Sequence, residues 1–155
     1  MKTFRPFHTI AVMALAWFVA GVASAHVTIS PRESQAGATE KYTVRVPTEG
    51  KVATTSAEVE IPEGVIFETM QVPNGWTYEL KRKDDRVVAI TFQMNVKPGE
   101  FAEFSFVARN PRDKAQLHWT LRQKFADGKM TDFTKRANGE PMPTALTKLN
   151  PIKPR

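Results

Sequence analysis

The chain has no cysteine and three histidines, His8, His26 and His118, so imidazoles and carboxylates are the side chains able to hold a metal ion or move a proton. One histidine stands at an unusual place. In the stretch VASAHVTISPRES (Val22 to Ser34), His26 directly follows the small-residue triplet Ala23-Ser24-Ala25 and directly precedes a β-prone run. Upstream lie Lys2, Arg5 and an apolar segment from Thr9 to Ala23, the layout of a bacterial secretory leader ending in a small-x-small cleavage site. That segment is shorter than the ~20 apolar residues a membrane span needs. Residues 1–25 are therefore expected to be a cleaved signal peptide, and His26 the first residue of the exported protein.

Cleavage changes what His26 can do. As residue one it offers a free α-amine and a ring nitrogen that can close a chelate on one metal ion. An α-amine has a pKa of about 7.7 to 8.0 and an imidazole about 6.5, so both can give up a proton near neutral pH when a metal competes. Nitrogen donors in a square arrangement suit Cu(II), which heads the divalent affinity series, and a carboxylate could complete the plane. Soft Cu(I) ligation is the weaker expectation, because the methionines after residue 25 are scattered: Met70, Met94, Met130 and Met142. His8 leaves with the leader. GxSxG, HExxH, Walker and GxGxxG patterns are all missing, and a triad built on His118 has no local signature.

The elements that must position these groups are strands. Beyond His26 the pattern is short β-prone runs separated by turn residues, with no helical apolar period. Tyr42, Val44 and Val46 alternate with Thr43 and Arg45, and Ala57, Val59 and Ile61 with Glu58 and Glu60, the period-2 signature of half-buried strands. Further strands are expected at 67–72, 76–81, 86–93, 100–109, 115–125 and 130–135. Pro62-Glu63-Gly64, Pro73-Asn74-Gly75, Pro98-Gly99 and Asp127-Gly128 supply the fixed or positive φ where the chain reverses. Eight or nine strands at this spacing give an all-β, two-layer antiparallel sandwich.

The sandwich is expected to span 26–138. The segment 139–155, with Pro141, Pro143, Pro151 and Pro154, is expected to be an extended or disordered tail, laid if anywhere along an edge strand. The chain carries 22 Lys and Arg against 16 Asp and Glu, and the excess shrinks when Lys2 and Arg5 leave. Signs are mixed within short runs such as KRKDDR (Lys81 to Arg86), which describes a solvated surface and argues against a nucleic-acid partner.

Five blocks in order, HVTISPRESQAGATEKYTVRVP (His26 to Pro47), VEIPEGV (Val59 to Val65), PNGWTYEL (Pro73 to Leu80), KPGEFAEFSFVARNP (Lys97 to Pro111) and LHWTLRQKFADGK (Leu117 to Lys129), resemble the bacterial YcnI-like family. The resemblance covers His26 to about Phe133. It implies an exported cupredoxin-like or immunoglobulin-like β-sandwich that binds Cu(II) through a single-histidine brace, with a carboxylate and a nearby tryptophan. His26 matches the brace position. Glu103 matches the family's carboxylate, and alternation in FAEFSFVA supports it in part: Ala102, Phe104, Phe106 and Ala108 share one face and Glu103 the other. Glu100 and Glu33 are the reserve ligands.

The family's tryptophan falls on Phe133, which keeps an apolar cap but lacks the indole N–H. Trp119 and Trp76 are expected to be core anchors. His118 is expected on a solvent-facing strand position, with the alternative that it is a second imidazole ligand.

The expected function is a periplasmic Cu(II)-binding protein for copper trafficking or homeostasis, without turnover and with no membrane anchor after cleavage. A copper-transport membrane protein or a periplasmic copper chaperone would be its partner. The competing expectations are a copper-dependent oxidase or oxygenase using His26 and His118, and a metal-free sandwich that binds another protein.

Overall fold

Alternating strands with one apolar face each have to bury that face against another sheet, and the computed structural model, which describes residues 26–152, is built on that rule. The expected leader lies outside these residues. The first sheet holds β1 (Thr28–Ser30), β3 (Thr39–Pro47), β8 (Phe101–Arg109) and β5 (Ile66–Met70), in the order β1-β3-β8-β5. The second holds β11 (Met130–Asp132), β10 (Thr120–Phe125), β4 (Thr54–Glu60), β7 (Arg86–Val96) and β6 (Thr77–Lys83), in the order β11-β10-β4-β7-β6. Between them lie Tyr42, Val44, Val46, Ala57, Val59, Phe92, Phe104 and Phe106, all buried.

A third, small sheet sets β12 (Leu146–Asn150) between β2 (Glu33–Gln35) and β9 (Gln116–His118). Here the structure departs from the expected eight or nine strands, giving twelve among the described residues. The run 115–125 breaks at Trp119 into β9 and β10, the segment after His26 makes two short strands, and β12 adds another. Three-residue strands carry too little alternation to stand out in sequence.

Of the expected tail, residues 139–152 are described, and they include an extended, paired segment. Ala145, Thr147 and Leu149 are buried in alternation, and β12 pairs parallel with β2 and antiparallel with β9. The Thr147 hydroxyl accepts the Trp119 indole N–H at 3.1 Å and donates to the Pro31 carbonyl at 2.9 Å, fastening the C-terminal segment to the core. Composition alone marked this region as extended; a five-residue strand flanked by prolines was hidden in it.

Trp119 is fully buried, 4.7 Å from the Tyr42 ring and 5.7 Å from Phe106, as a core anchor should be. Trp76 is half-buried against Phe92 at 5.7 Å. The glycine turns behave as their residues require: Gly64, Gly75, Gly99 and Gly128 all take positive φ. Asp84 and Asp85 also take positive φ, as the two-residue hairpin joining β6 to β7 demands.

Asn110 ties β2 to this frame. Its amide donates to Ser34 Oγ and the Gln35 carbonyl, each at 3.0 Å, and its carbonyl accepts the Tyr42 hydroxyl at 2.6 Å. Burial pushes the Tyr42 hydroxyl pKa up to about 12, so it remains a donor throughout the physiological range.

Candidate functional site

Backbone pairing places His26. β1 pairs antiparallel with β3 so that Thr28 faces Arg45, and β3 pairs with β8 so that Arg45 faces Glu103 and Pro47 faces Phe101. Continuing the first register toward the N-terminus brings His26 opposite Pro47. Val27 and Ile29 point inward and are fully buried, which leaves His26 and Thr28 on the other face by strand alternation.

There His26 is half-buried on an open hollow of about 570 Å3. Glu49, Glu100, Arg45 and Phe101 line the same hollow, together with Thr144 from the 3-10 turn Pro143–Ala145.

The floor is secured from the opposite sheet. Gln123, buried on β10, donates to the Pro47 carbonyl at 2.8 Å and to Thr54 Oγ1 at 2.6 Å, and Thr54 meets Thr48 Oγ1 at 2.6 Å. Thr48 in turn exchanges backbone hydrogen bonds with the 97–100 turn, donating to the Glu100 carbonyl and accepting from Gly99, each at 2.9 Å. The Glu100 carboxylate accepts the Lys97 N–H at 3.0 Å. Thus the loops bearing Glu49 and Glu100 are held to each other and to β10. On one side the Arg45 guanidinium lies 3.9 Å above the Phe101 ring, a cation–π stack.

Phe133 arrives from β11. Its backbone N–H donates to the Leu121 carbonyl at 2.8 Å, and its ring meets the His26 imidazole edge-on, 5.6 Å between centroids at 83°. Phe133, expected at the family's tryptophan position, therefore packs edge-on against the histidine.

The strand that delivers Phe133 is pinned by Arg122 on β10. Its guanidinium donates to Glu58 at 2.6 Å and Glu60 at 2.5 Å and reaches Asp132 at 3.3 Å. Partial burial opposes the charged form of Asp132, but donation from Thr134 and the Arg122 charge outweigh it, so its pKa is lowered. A lowered carboxylate pKa stabilises the fold above the unfolded-state value of about 3.9, and that contribution disappears as pH falls through the native value. Asp132→Asn is accordingly expected to lower the urea midpoint at pH 6 by a small amount. The gap to wild type should close as the titrations are carried down through the lowered native pKa of Asp132.

The other expected ligands fall differently. Glu103 shares the outer face of the first sheet but does not line the hollow. It sits one row further along, in the row of Thr28 and Arg45, with Arg45 Nε at 3.9 Å. β8 lies two strand spacings, about 10 Å, from β1. Glu33, exposed on β2, stands beside Lys148 of β12 and is also off the hollow. His118 is exposed, hydrogen-bonded to Gln116 at 2.7 Å, and lines a separate hollow with Pro62 and Glu63.

Of the reserve ligands, Glu100 is the one brought to His26's hollow. Glu49 was missed because its loop has no pattern of its own; the pairing of Thr48 with Glu100 locates it.

Among the described residues, no three His, Asp or Glu side chains form a ready metal cluster. What the hollow offers is one imidazole, two carboxylates and the Arg45 guanidinium at its lining, and Thr144, whose buried hydroxyl has no hydrogen-bond partner among the described residues. This donor set fits a cation that also draws a ligand from the backbone end of His26. It does not fit a multi-histidine centre.

The two facing antiparallel sheets, with His26 at the head of the first strand, form an immunoglobulin-like frame. A solved protein of Nocardia farcinica described as having an immunoglobulin-like fold superposes with a TM-score of 0.66 at 26% identity, over 83% of this chain and 99% of that one. A putative membrane-anchored protein of Corynebacterium diphtheriae shares the fold alone, with a TM-score of 0.50 at 12% identity, over 83% of this chain and 36% of that one.

The chain belongs to the family described as domain of unknown function DUF1775, whose profile matches residues 26–148. It is 31% identical over 146 residues to the copper-binding protein CutI of Bacillus subtilis (strain 168), covering 92% of this chain and 71% of that protein. The YcnI-like resemblance is thereby borne out, and the family match begins at His26.

Proposed function

We propose that the protein is exported to the periplasm and there carries or buffers copper, holding Cu(II) at its mature N-terminus without turnover. His26 supplies its α-amine and imidazole, a carboxylate of the hollow supplies oxygen, and Phe133 shields one side. The observation that carries this reading is the half-buried His26 on a hollow lined by Glu49 and Glu100, at the residue where the family match begins. The name of the Bacillus subtilis relative supports copper as the ion. A membrane copper transporter or a periplasmic copper chaperone is the partner this role calls for. Both nitrogens must shed protons to bind, so affinity falls as pH drops below about 6 to 7.

The placement of Glu100 makes it the first choice for the oxygen ligand, ahead of Glu103, whose pairing with Arg45 at about half exposure is a weak surface contact. Competition titration of mature protein with Cu(II) is expected to give about tenfold weaker binding for Glu100→Gln, the scale typical of a lost metal-site partner, and little change for Glu103→Gln or His118→Ala. A large loss in His118→Ala would favour the two-histidine oxidase reading. A large loss confined to Glu103→Gln would restore Glu103 as the ligand.

A further inference from the structure

Thr144, one of the residues lining the hollow beside His26, carries a hydroxyl that the described residues leave unanswered. Thr144 Oγ1 is buried without a hydrogen-bond partner among the described residues, although its neighbours on the same segment are well satisfied: Thr147 both accepts and donates, and the Pro143 carbonyl accepts from Arg32. A buried hydroxyl left unpaired costs roughly 1–3 kcal/mol, and a fold retains such a group where something outside the protein's own contacts answers it. The 3-10 turn packs against β1, and Thr144 lines the hollow with His26.

We propose that Thr144 is a positioning residue for the bound ion: its hydroxyl accepts a hydrogen bond from the α-amine of mature His26 when that nitrogen is coordinated to metal. The inference rests on the N-terminal chelate proposed above. A metal-bound amine keeps two N–H groups, and each needs an acceptor once water is displaced. A hydroxyl held on a turn fixes the direction of the nitrogen lone pair, as hydrogen-bonded outer partners commonly do for metal ligands. In the chain still joined to residue 25 the same nitrogen is an amide that cannot coordinate as an amine, and Thr144 Oγ1 has no partner among the described residues, so the contact belongs to the processed, loaded form.

The test is a double-mutant cycle. Mature protein and a form with one extra glycine before His26 are each prepared as wild type, Thr144→Val and Thr144→Ser. Cu(II) affinity is measured by competition titration, thermal midpoint on metal-free protein, and the electron paramagnetic resonance spectrum on the loaded form. In the mature background Thr144→Val is expected to bind about tenfold more weakly with an altered spectrum, Thr144→Ser to restore both, and the metal-free valine variant to be as stable as wild type or more so.

In the extended background the valine penalty should vanish, because the amine has moved to the added glycine, away from the nitrogen that Thr144 is proposed to hold. Equal affinity and spectra for mature wild type and Thr144→Val would overturn the proposal, as would a valine penalty that persists in the extended form or a lowered midpoint of the metal-free valine variant. Failure of mature wild type to bind Cu(II) overturns the parent reading, and this one with it.

Discussion

Mature protein carrying a single additional glycine before His26 is expected to bind Cu(II) on the order of 100-fold more weakly than protein beginning at His26, a difference of about 2.7 kcal/mol. The substitution leaves every described side chain in place. It converts the α-amine into an amide, whose nitrogen does not bind metal unless its proton is forced off, and it opens the chelate that the histidine forms alone. The imidazole against Phe133 and the carboxylates of Glu49 and Glu100 remain, so the residual affinity measures what they achieve, together with the displaced glycine amine, once the amine of His26 itself is lost. Isothermal or competition titration at pH 7 to 8 reads the effect directly. Equal affinities for the two forms would remove the chelate from the account.

Trp119→Ala is expected to cost about 3–5 kcal/mol, the range for truncating a large buried aromatic, against a total stability of roughly 5–15 kcal/mol for a domain of this kind. The side chain is fully buried and contacts the rings of Tyr42 and Phe106. It also holds Thr147, so its removal loosens β12, which otherwise closes the third sheet. The urea midpoint should fall steeply, with a smaller loss for Trp119→Phe, which keeps most of the volume but not the N–H. A residue that only capped the metal would leave the metal-free midpoint unchanged, and that outcome would contradict the core assignment.

Much of the sandwich was legible in the sequence because long strands advertise themselves. The alternation at Tyr42, Val44 and Val46, and at Ala57, Val59 and Ile61, names the inward faces correctly, and the Gly-containing turns fall where positive φ is found. Short strands are a different matter. β2 and β12 are fastened by hydrogen bonds that span 76 residues from Asn110 to Ser34 and 116 residues from Thr147 to Pro31, a long-range cause with no local period.

The same limit governs the candidate site. His26 could be singled out from its place behind a small-residue triplet, and Phe133 from its correspondence to the family tryptophan; both arrive at one place. The carboxylate could not be chosen by alternation, because Glu103 faces the correct side of β8 but stands in the row beyond His26. Glu49 and Glu100 reach the hollow through a loop-to-turn pairing that depends on Thr48, Thr54 and Gln123, and a buried glutamine on a strand gives no hint of that role.

The central claim is that processing creates the binding site. Native mass spectrometry of the protein recovered from the periplasm of copper-supplemented cells tests it in one measurement, since a single spectrum reports both where the chain begins and what it holds. The predicted species starts at His26 and carries one copper ion. A chain that still bears residues before His26, or one that starts at His26 but remains free of copper, would contradict the account.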